Sequence, residues 1–464
     1  MNDVNVAPVA GEQSQRLIEH LTQLTLNGLD KRVPREARNR LLDGLGCGLY
    51  GAKMPWGKIT ADVAFAEESR GKASVFGRLE SIAPARAALC NGTAMHGIEL
   101  DDILGHVHPG SVVIPAALAA AEHCGASGER VLLGLIAGYE AMVRLSRAIG
   151  EAAWGFHITG IAGPVGAAVA AGVLMELSHE QIMNAVGIAC SNAAGIKSFT
   201  QGNGGMIKRL HAGRAAESGV LACLLAEREF TAPAAAIDGR FGLLEVFGGE
   251  KANPTQLVDK LGHDYIICHI WTKVYPFCGA LHTTAQALKS LRDKYDLQPA
   301  AIKNIRVGIN SRAVALNGAI SSPKETMAAQ YSLPFVAAVA LAADPKDPRS
   351  FENSALDNPT VCDLARRVES YVDPEMEAKY PRHRAAKVEV HLSNGTQLEA
   401  SLLDAHGTPA DPCSEDEVKE KFRCLTAESC DSRAIESILN IVEHIEELPS
   451  IAPLSAALAA GITS

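Results

Sequence analysis

The feature that most constrains the fold is a change in the spacing of apolar residues at about residue 270. Before it, stretches such as "VPREARNRLLDGLGCGLYG" and "AGPVGAAVAAGVLMEL" repeat apolar residues at helical spacing between Gly, Pro and Ser punctuation. After it, "IKNIRVGIN" and "KVEVHLSNGTQLEASL" alternate apolar and polar residues, and Asn394-Gly395 between two alternating runs predicts a tight hairpin. The sequence therefore predicts a helical core followed by a unit that contains strands.

Capping residues place several helix ends. We expect one helix to begin after Ser127 and to end at Gly150, and a second helix to begin after Ser178 and to end at Gly195. "QYSLPFVAAVALAAD" predicts a helix between the two strand regions, and Pro115 is expected in the first turn of its own helix.

Helical spacing returns near the end of the chain, in "SEDEVKEKFRCLTAES" and "SRAIESILNIVEHIEEL". These helices could rejoin the first core. The predicted fold is mainly α, with a large helical domain over 1–270 completed by 404–464, and a smaller α+β domain over 271–403.

Composition excludes several classes of function. The chain has 464 residues, which favours two domains, and 43 Lys plus Arg against 53 Asp plus Glu, with no long basic run for a nucleic-acid backbone. Its 11 cysteines form no C-x-x-C pair, which argues against a disulfide framework and the usual zinc or iron–sulfur spacings. "MNDVNVAPVAGEQSQ" does not have the pattern of a signal peptide, and no apolar run is long enough to cross a membrane. We expect a cytoplasmic protein.

The stretch "HGIELDDILGHVHPGSVVIP" places three histidines and three carboxylates close together. On a continuing helix His96 and Glu99 would share one face. Three interpretations compete: polar residues that satisfy backbone groups, a metal site that uses His96, Asp102, His106 or His108, and general acid/base catalysis. The spacing matches no established metal signature, so we favour acid/base chemistry and expect no metal.

Three further stretches contain residues suited to binding or catalysis. "GGMIKRLHAGRAAESG" concentrates Lys208, Arg209, His211 and Arg214 before a helix expected to begin near Gly213, which suits a ligand with several carboxylates, although a solvated basic loop has the same pattern. "KVYPFCGALHTTAQAL" and "WGFHITGIAGPVGAA" each place a histidine beside a helix start, where a capping or packed residue is the ordinary alternative.

Taken together, "NGTAMHGIELDD" with "HPGS", "GFHITGIAGPVGAA", "KRLHAGRAAESG" and "KVYPFCGALH" resemble the MmgE/PrpD family in order and approximate spacing. That family includes 2-methylcitrate dehydratase, cis-aconitate decarboxylase and iminodisuccinate epimerase. The resemblance implies a two-domain homodimeric enzyme with its site between the domains, and neither metal nor cofactor. It implies the catalytic residues His108, His157, Lys208, Lys273 and His282.

The residues expected to bind the substrate around this set are Glu99, Asp102, Ser111, Arg209, His211 and Tyr331. Family decarboxylases and dehydratases typically read Asp-Phe-Asp-Asp-Thr or Asp-Phe-Asn-Asp-Thr where this chain reads Glu99-Leu100-Asp101-Asp102-Ile103. The expected substrate is a small polycarboxylate that undergoes proton transfer at a carbon next to a carboxylate. Three reactions would all use these residues: decarboxylation, dehydration, and the epimerisation of an amino- or imino-dicarboxylate. A protein that binds carboxylates without catalysing a reaction is the alternative from a different functional class.

Overall fold

The computed structural model describes residues 11–201 and 204–460, so most of the segment considered for a signal peptide lies outside the described residues. The helices are α1 (Glu12–Thr22), α2 (Arg32–Ala52), α3 (Pro55–Ala66), α4 (Pro84–Met95), α5 (Gly110–Cys124), α6 (Gly128–Ile149), α7 (Ile158–Leu174), α8 (His179–Ser191), α9 (Ile207–Ala226), α10 (Leu243–Gly248), α11 (His282–Tyr295), α12 (Ser311–Asn317), α13 (Thr326–Tyr331), α14 (Leu333–Ala342), α15 (Pro359–Ala365), α16 (Pro374–Lys379), α17 (Glu415–Thr426), α18 (Ser432–Glu443) and α19 (Ala452–Ala460). The strands are β1 (Ala73–Ser74), β2 (Ser81–Ile82), β3 (Ile302–Ile309), β4 (Val368–Val372), β5 (Ala386–Leu392) and β6 (Gln397–Leu402). The predicted mainly α class is confirmed.

The larger hydrophobic core is helical and draws on both ends of the chain. Helix α7 packs against α5, α6, α8 and α9, and α17 packs against α2. The backbones of α6 and α7 come so close that a Cβ on Gly166 would lie 3.0 Å from the Gly138 carbonyl oxygen. Small residues on these faces therefore allow close helix contact.

The smaller core lies between a four-stranded sheet and the helices α11 and α14. The strand order is β4-β3-β5-β6, with β3 and β4 parallel and the other pairs antiparallel. The predicted hairpin is confirmed. Strands β5 and β6 are antiparallel, His391 and Gln397 form their last pair before the turn, and Gly395 in the turn has a φ of 90°. The proposed domain boundaries at residues 270 and 403 stay a prediction.

Helix ends agree with the capping residues in most places. Ser127 caps α6 and Gly150 follows it, while Ser178 and Gln181 form a capping box at α8. Helix α8 ends at Ser191, however, before the glycine expected to close it.

Two predictions about helix starts are wrong. Helix α5 begins at Gly110, so Pro115 lies inside the helix rather than in its first turn. Helix α9 begins at Ile207 rather than near Gly213, so the basic residues of "KRLH" are on a helix. In the described part of the chain, no helix combines the length and the apolar character that crossing a membrane requires.

Candidate active site

A cavity lies where the helical core meets the segment that carries the sheet. Its wall includes five of the residues predicted from the sequence, namely Glu99, His108, His157, Lys208 and Tyr331. Glu99, His108 and His157 lie in loops or at helix starts of the helical core. Lys208 lies in the first turn of α9, and Tyr331 is the last residue of α13. The cavity therefore brings together residues that are far apart in the sequence.

A buried carboxylate links two histidines at one wall. Asp101 Oδ2 lies 2.7 Å from His96 Nδ1 and 3.2 Å from His108 Nδ1. Burial alone would raise the pKa of Asp101, but its contacts with the two rings lower it well below its usual range, so it is ionised. Burial also lowers the pKa of His96 to about 3, so that ring is neutral. Asp101 thus places its negative charge beside Nδ1 of the His108 ring without a hydrogen bond to it, and Nε2 is the ring's other nitrogen.

A second histidine pair lies beside the first, with the ring centroid of His157 5.5 Å from that of His96. His157 is the N-cap residue of α7, and its Nδ1 lies 3.2 Å from Nδ1 of His211 on α9. Burial lowers the pKa of His157 well below its usual value and that of His211 to about 4, and neighbouring cations act in the same direction. Both rings are therefore neutral at pH 7, and one must donate the proton that the other accepts.

Two lysines share one carboxylate beneath the cavity. Glu99 forms ion pairs with Lys208 through Oε1 and, at 3.3 Å, with Lys273 through Oε2. All three side chains are buried. Burial lowers the pKa of both lysines, that of Lys273 to about 8, and their mutual repulsion lowers that of Lys208 further. With both amines protonated the cluster carries one uncompensated positive charge, which attracts an anion.

The geometry of Glu99 corrects the helical interpretation of this stretch. Helix α4 ends at Met95 and is followed by a 3-10 turn, after which Glu99 adopts a left-handed conformation with a φ of 54°. Glu99 consequently points to the lysines, whereas His96 contacts Asp101. A positive φ is unfavourable for a residue with a side chain, and here the ion pairs hold it in place.

Three cations missed by the sequence analysis also line the cavity: Lys197, Arg312 and Arg384. Arg312 Nη1 pairs with Glu151 and lies 3.1 Å from the Tyr380 hydroxyl. Arg384 donates to the Gly105 carbonyl oxygen at 2.6 Å and thereby connects the segment with the sheet to the helical core. No local cluster in the sequence marks them, because each is brought to the cavity by a different segment.

Other predicted residues do not line the cavity. Asp102 accepts hydrogen bonds from the Gly110 amide and the Tyr139 hydroxyl, and Ser111 donates to the His108 carbonyl oxygen. Both therefore hold the "HPGS" loop and the start of α5.

Four more predicted residues lie behind the wall. Arg209 donates to the Gly97 carbonyl oxygen and packs over the Trp56 ring. His282 is buried among aromatic rings, with Nε2 3.2 Å from the Phe277 carbonyl oxygen. Lys273 and His211 do not line the cavity themselves but contact Glu99 and His157, which do.

One group of potential metal ligands lies at this wall, formed by His96, Asp101 and His108. The metal site considered from the sequence included Asp102 rather than Asp101. It also included His106, whose Nε2 instead lies 3.0 Å from Glu151 Oε1. Of the group's atoms, His96 Nε2, Asp101 Oδ1 and His108 Nδ1 have no hydrogen-bond partner among the described residues.

Two protein-family models together match most of the chain. The MmgE/PrpD N-terminal domain model matches residues 15–256, and the MmgE/PrpD C-terminal domain model matches residues 275–447. The chain belongs to the MmgE/PrpD family. It is 28% identical to cis-aconitate decarboxylase of Aspergillus terreus over 458 residues, which cover 93% of each chain. It is 26% identical to the Homo sapiens cis-aconitate decarboxylase over 456 residues, 94% of this chain and 92% of that protein.

Proposed function

We propose that this family member is a lyase that decarboxylates a small unsaturated tricarboxylate of the cis-aconitate type. The observation that carries the proposal is the cavity itself, whose wall brings together an imidazole beside a buried carboxylate, Glu99 and Lys208 of the Lys208–Glu99–Lys273 cluster, and two arginines. Such a site offers a proton donor beside several cations, which is what a substrate with three carboxylates requires. The names of the related proteins support the same substrate class.

The proposed chemical step needs one proton and no redox partner. His108 donates a proton to the alkene carbon next to a carboxylate, and the π electrons of the double bond form the new C–H bond. The bond to a second carboxylate breaks, its electrons form a double bond shifted by one carbon, and carbon dioxide leaves. Lys208 and the arginines hold the remaining carboxylates, and solvent returns the proton to His108.

Dehydration and epimerisation would use the same groups but give different products. Ile103 lines the cavity and stands where the family pattern described above has a threonine, so this position offers no hydroxyl. The deciding experiment is incubation in deuterated water with cis-aconitate, citrate, 2-methylcitrate and a panel of amino-dicarboxylates, followed by NMR. We expect a deuterated, decarboxylated product from cis-aconitate. If an amino-dicarboxylate exchanged deuterium without losing carbon, epimerisation would replace the proposed decarboxylation. If no compound were turned over, the proposal that the protein is an enzyme would be contradicted.

Binding of a polycarboxylate should raise thermal stability. The cations come from both sides of the cavity, so an anion between them favours the folded, closed protein. At a ligand concentration 100 times Kd, linkage gives about 2.7 kcal/mol. Thermal unfolding with cis-aconitate or citrate, against acetate at equal ionic strength, measures this. An unchanged Tm with every polycarboxylate tested would contradict the assignment of the cavity as an anion site.

Substrate binding should weaken as pH rises through about 8. The pKa of Lys273, lowered by burial to about 8, implies that the lysine is protonated below this pH and neutral above it. Above it the Lys208–Glu99–Lys273 cluster has lost the positive charge of Lys273, whereas substrate carboxylates stay ionised. We expect KM to rise between pH 7 and pH 9 in the native enzyme and to be high and nearly constant in Lys273→Met. Equal pH profiles for the two proteins would contradict this assignment.

Turnover should survive metal chelation. Every charge that the proposed step needs is supplied by a side chain of the cavity, so treatment with a chelator is expected to leave kcat within about twofold of the untreated enzyme. Activity assayed before and after dialysis against chelator, with metal content measured in parallel, tests this. Loss of a stoichiometric metal together with activity, and recovery of both on adding the metal back, would contradict this prediction.

A further inference from the structure

A second set of metal-binding side chains lies away from the cavity, where the chain leaves β6 and enters α17. His406, Cys413 and Glu417 each offer one donor atom, and the three atoms lie within 4.8 Å of one another. His406 Nε2 is 2.8 Å from Glu417 Oε1 and 3.8 Å from Cys413 Sγ. One nitrogen, one sulfur and one carboxylate oxygen thus converge on a common point.

The surrounding contacts orient two of these donors, His406 and Glu417. Asp411 Oδ2 lies 3.1 Å from His406 Nδ1, which directs the other ring nitrogen to Cys413 and Glu417. Glu417 Oε2 accepts from the amide and hydroxyl of Ser414 at 2.9 Å each, so Oε1 is held toward the histidine. A carboxylate behind a ligating histidine and hydrogen bonds behind a ligating carboxylate are the outer contacts typical of protein metal sites.

We propose that His406, Cys413 and Glu417 bind a zinc ion, with water as the fourth ligand. Thiolate, imidazole and carboxylate are the ligands that zinc prefers, and three protein ligands leave one tetrahedral position open. Zinc–sulfur and zinc–nitrogen bonds of about 2.3 and 2.0 Å in a tetrahedron place sulfur and nitrogen about 3.5 Å apart, close to the separation here. The nitrogen–oxygen pair must open by about half an ångström. Binding releases the thiol proton of Cys413 and the proton that His406 Nε2 otherwise shares with Glu417.

The position of the site indicates a structural role. Helix α17 carries Lys421, whose Nζ donates to the carbonyl oxygens of Leu100 and Lys273 at 2.8 Å each. The loop before α17 is joined to the same region, because the Thr272 amide donates to the Gly407 carbonyl oxygen at 3.0 Å. A zinc ion would fasten this loop to the first turn of α17 and so stabilise the backbone on which the cavity is built, without contacting substrate.

Cobalt substitution tests the proposal in the full-length protein. Protein freed of metal is titrated with Co²⁺, then with Zn²⁺ in competition. We expect one equivalent to bind per chain with a near-ultraviolet thiolate-to-cobalt charge-transfer band that zinc abolishes. Cys413→Ser should lose the band. Cys424→Ser, which removes an exposed cysteine on α17, should keep it. Asp411→Asn should weaken zinc binding by about 10- to 100-fold, and Cys413→Ser by more than that.

Each outcome decides the matter. Without Co²⁺ binding, His406 is simply a histidine paired with two carboxylates, and the proposal fails. Binding without the charge-transfer band, or a band that persists in Cys413→Ser, places the metal elsewhere and also overturns it. Far-ultraviolet circular dichroism shows whether Cys413→Ser is folded. If it is not, Glu417→Gln provides the second variant, which must bind zinc more weakly while Cys424→Ser binds it as the native protein does.

Discussion

Replacing His108 with alanine is expected to lower kcat by about 100- to 10,000-fold, the usual range for loss of a general acid or base. The ring lines the cavity, and its Nδ1 lies 3.2 Å from the ionised Asp101, so Nε2 is the nitrogen that we expect to transfer the proton. KM should change much less, because the cations and not the imidazole hold the carboxylates. Steady-state kinetics, with circular dichroism to show that the variant is folded, measures the effect.

Cys278→Ala is the matched control, since this thiol also lines the cavity but has no part in the proposed step. It should retain nearly full turnover. If folded His108→Ala also turned over normally, the "HPGS" loop would be scaffolding, and the proton donor would have to be sought at His157. His282 is the weaker substitute, because its ring is enclosed by aromatic side chains and bonded to a backbone carbonyl.

Lys208→Ala is expected to lower kcat/KM by about 100- to 1,000-fold, through both kcat and KM. The change removes the cation at the cavity wall and leaves Glu99 paired with Lys273 alone, so the cluster falls from one net positive charge to none. A cation that contacts the substrate carboxylate before and during reaction contributes to binding as well as to catalysis. Full kinetic analysis and a thermal unfolding curve separate these losses from a folding defect.

Lys379→Ala removes a lysine from an exposed ion pair with Glu375 and should leave both constants unchanged. A rise in KM with normal kcat in Lys208→Ala would mean that this lysine only binds substrate. Normal values of both constants would show that the cavity is not the site of reaction.

The fold was largely predictable because its signals are local. Ser127 and Ser178 cap their helices through side-chain oxygens, and the alternation on each side of Asn394-Gly395 gives the hairpin. The errors arise where packing overrides local preference. Pro115 occupies a helix interior because the buried small-residue faces around α5 hold that helix together.

The candidate site was predictable only in part. Sequence spacing drew attention to Lys208 and His108, but helical periodicity placed Glu99 beside His96, whereas its left-handed backbone turns it to the lysines. Arg312 and Arg384 carried no local signal, because tertiary packing alone brings them to the cavity. Asp101 and Asp102 are neighbours with identical side chains, and only the structure shows that the first contacts the histidines while the second holds a helix start.

The contacts of Lys421 have a consequence for how the protein is made. The proposed acid and the cavity lysines all precede residue 300, yet the backbone carbonyls of Leu100 and Lys273 are joined by an ammonium group on α17. Lys421 also pairs at 2.5 Å with Asp43 of α2, which is buried. Until α17 has been synthesised, the face of α2 that packs against it stays uncovered and Asp43 lacks its partner, and during that interval the nascent helical core is incomplete and exposed to misfolding.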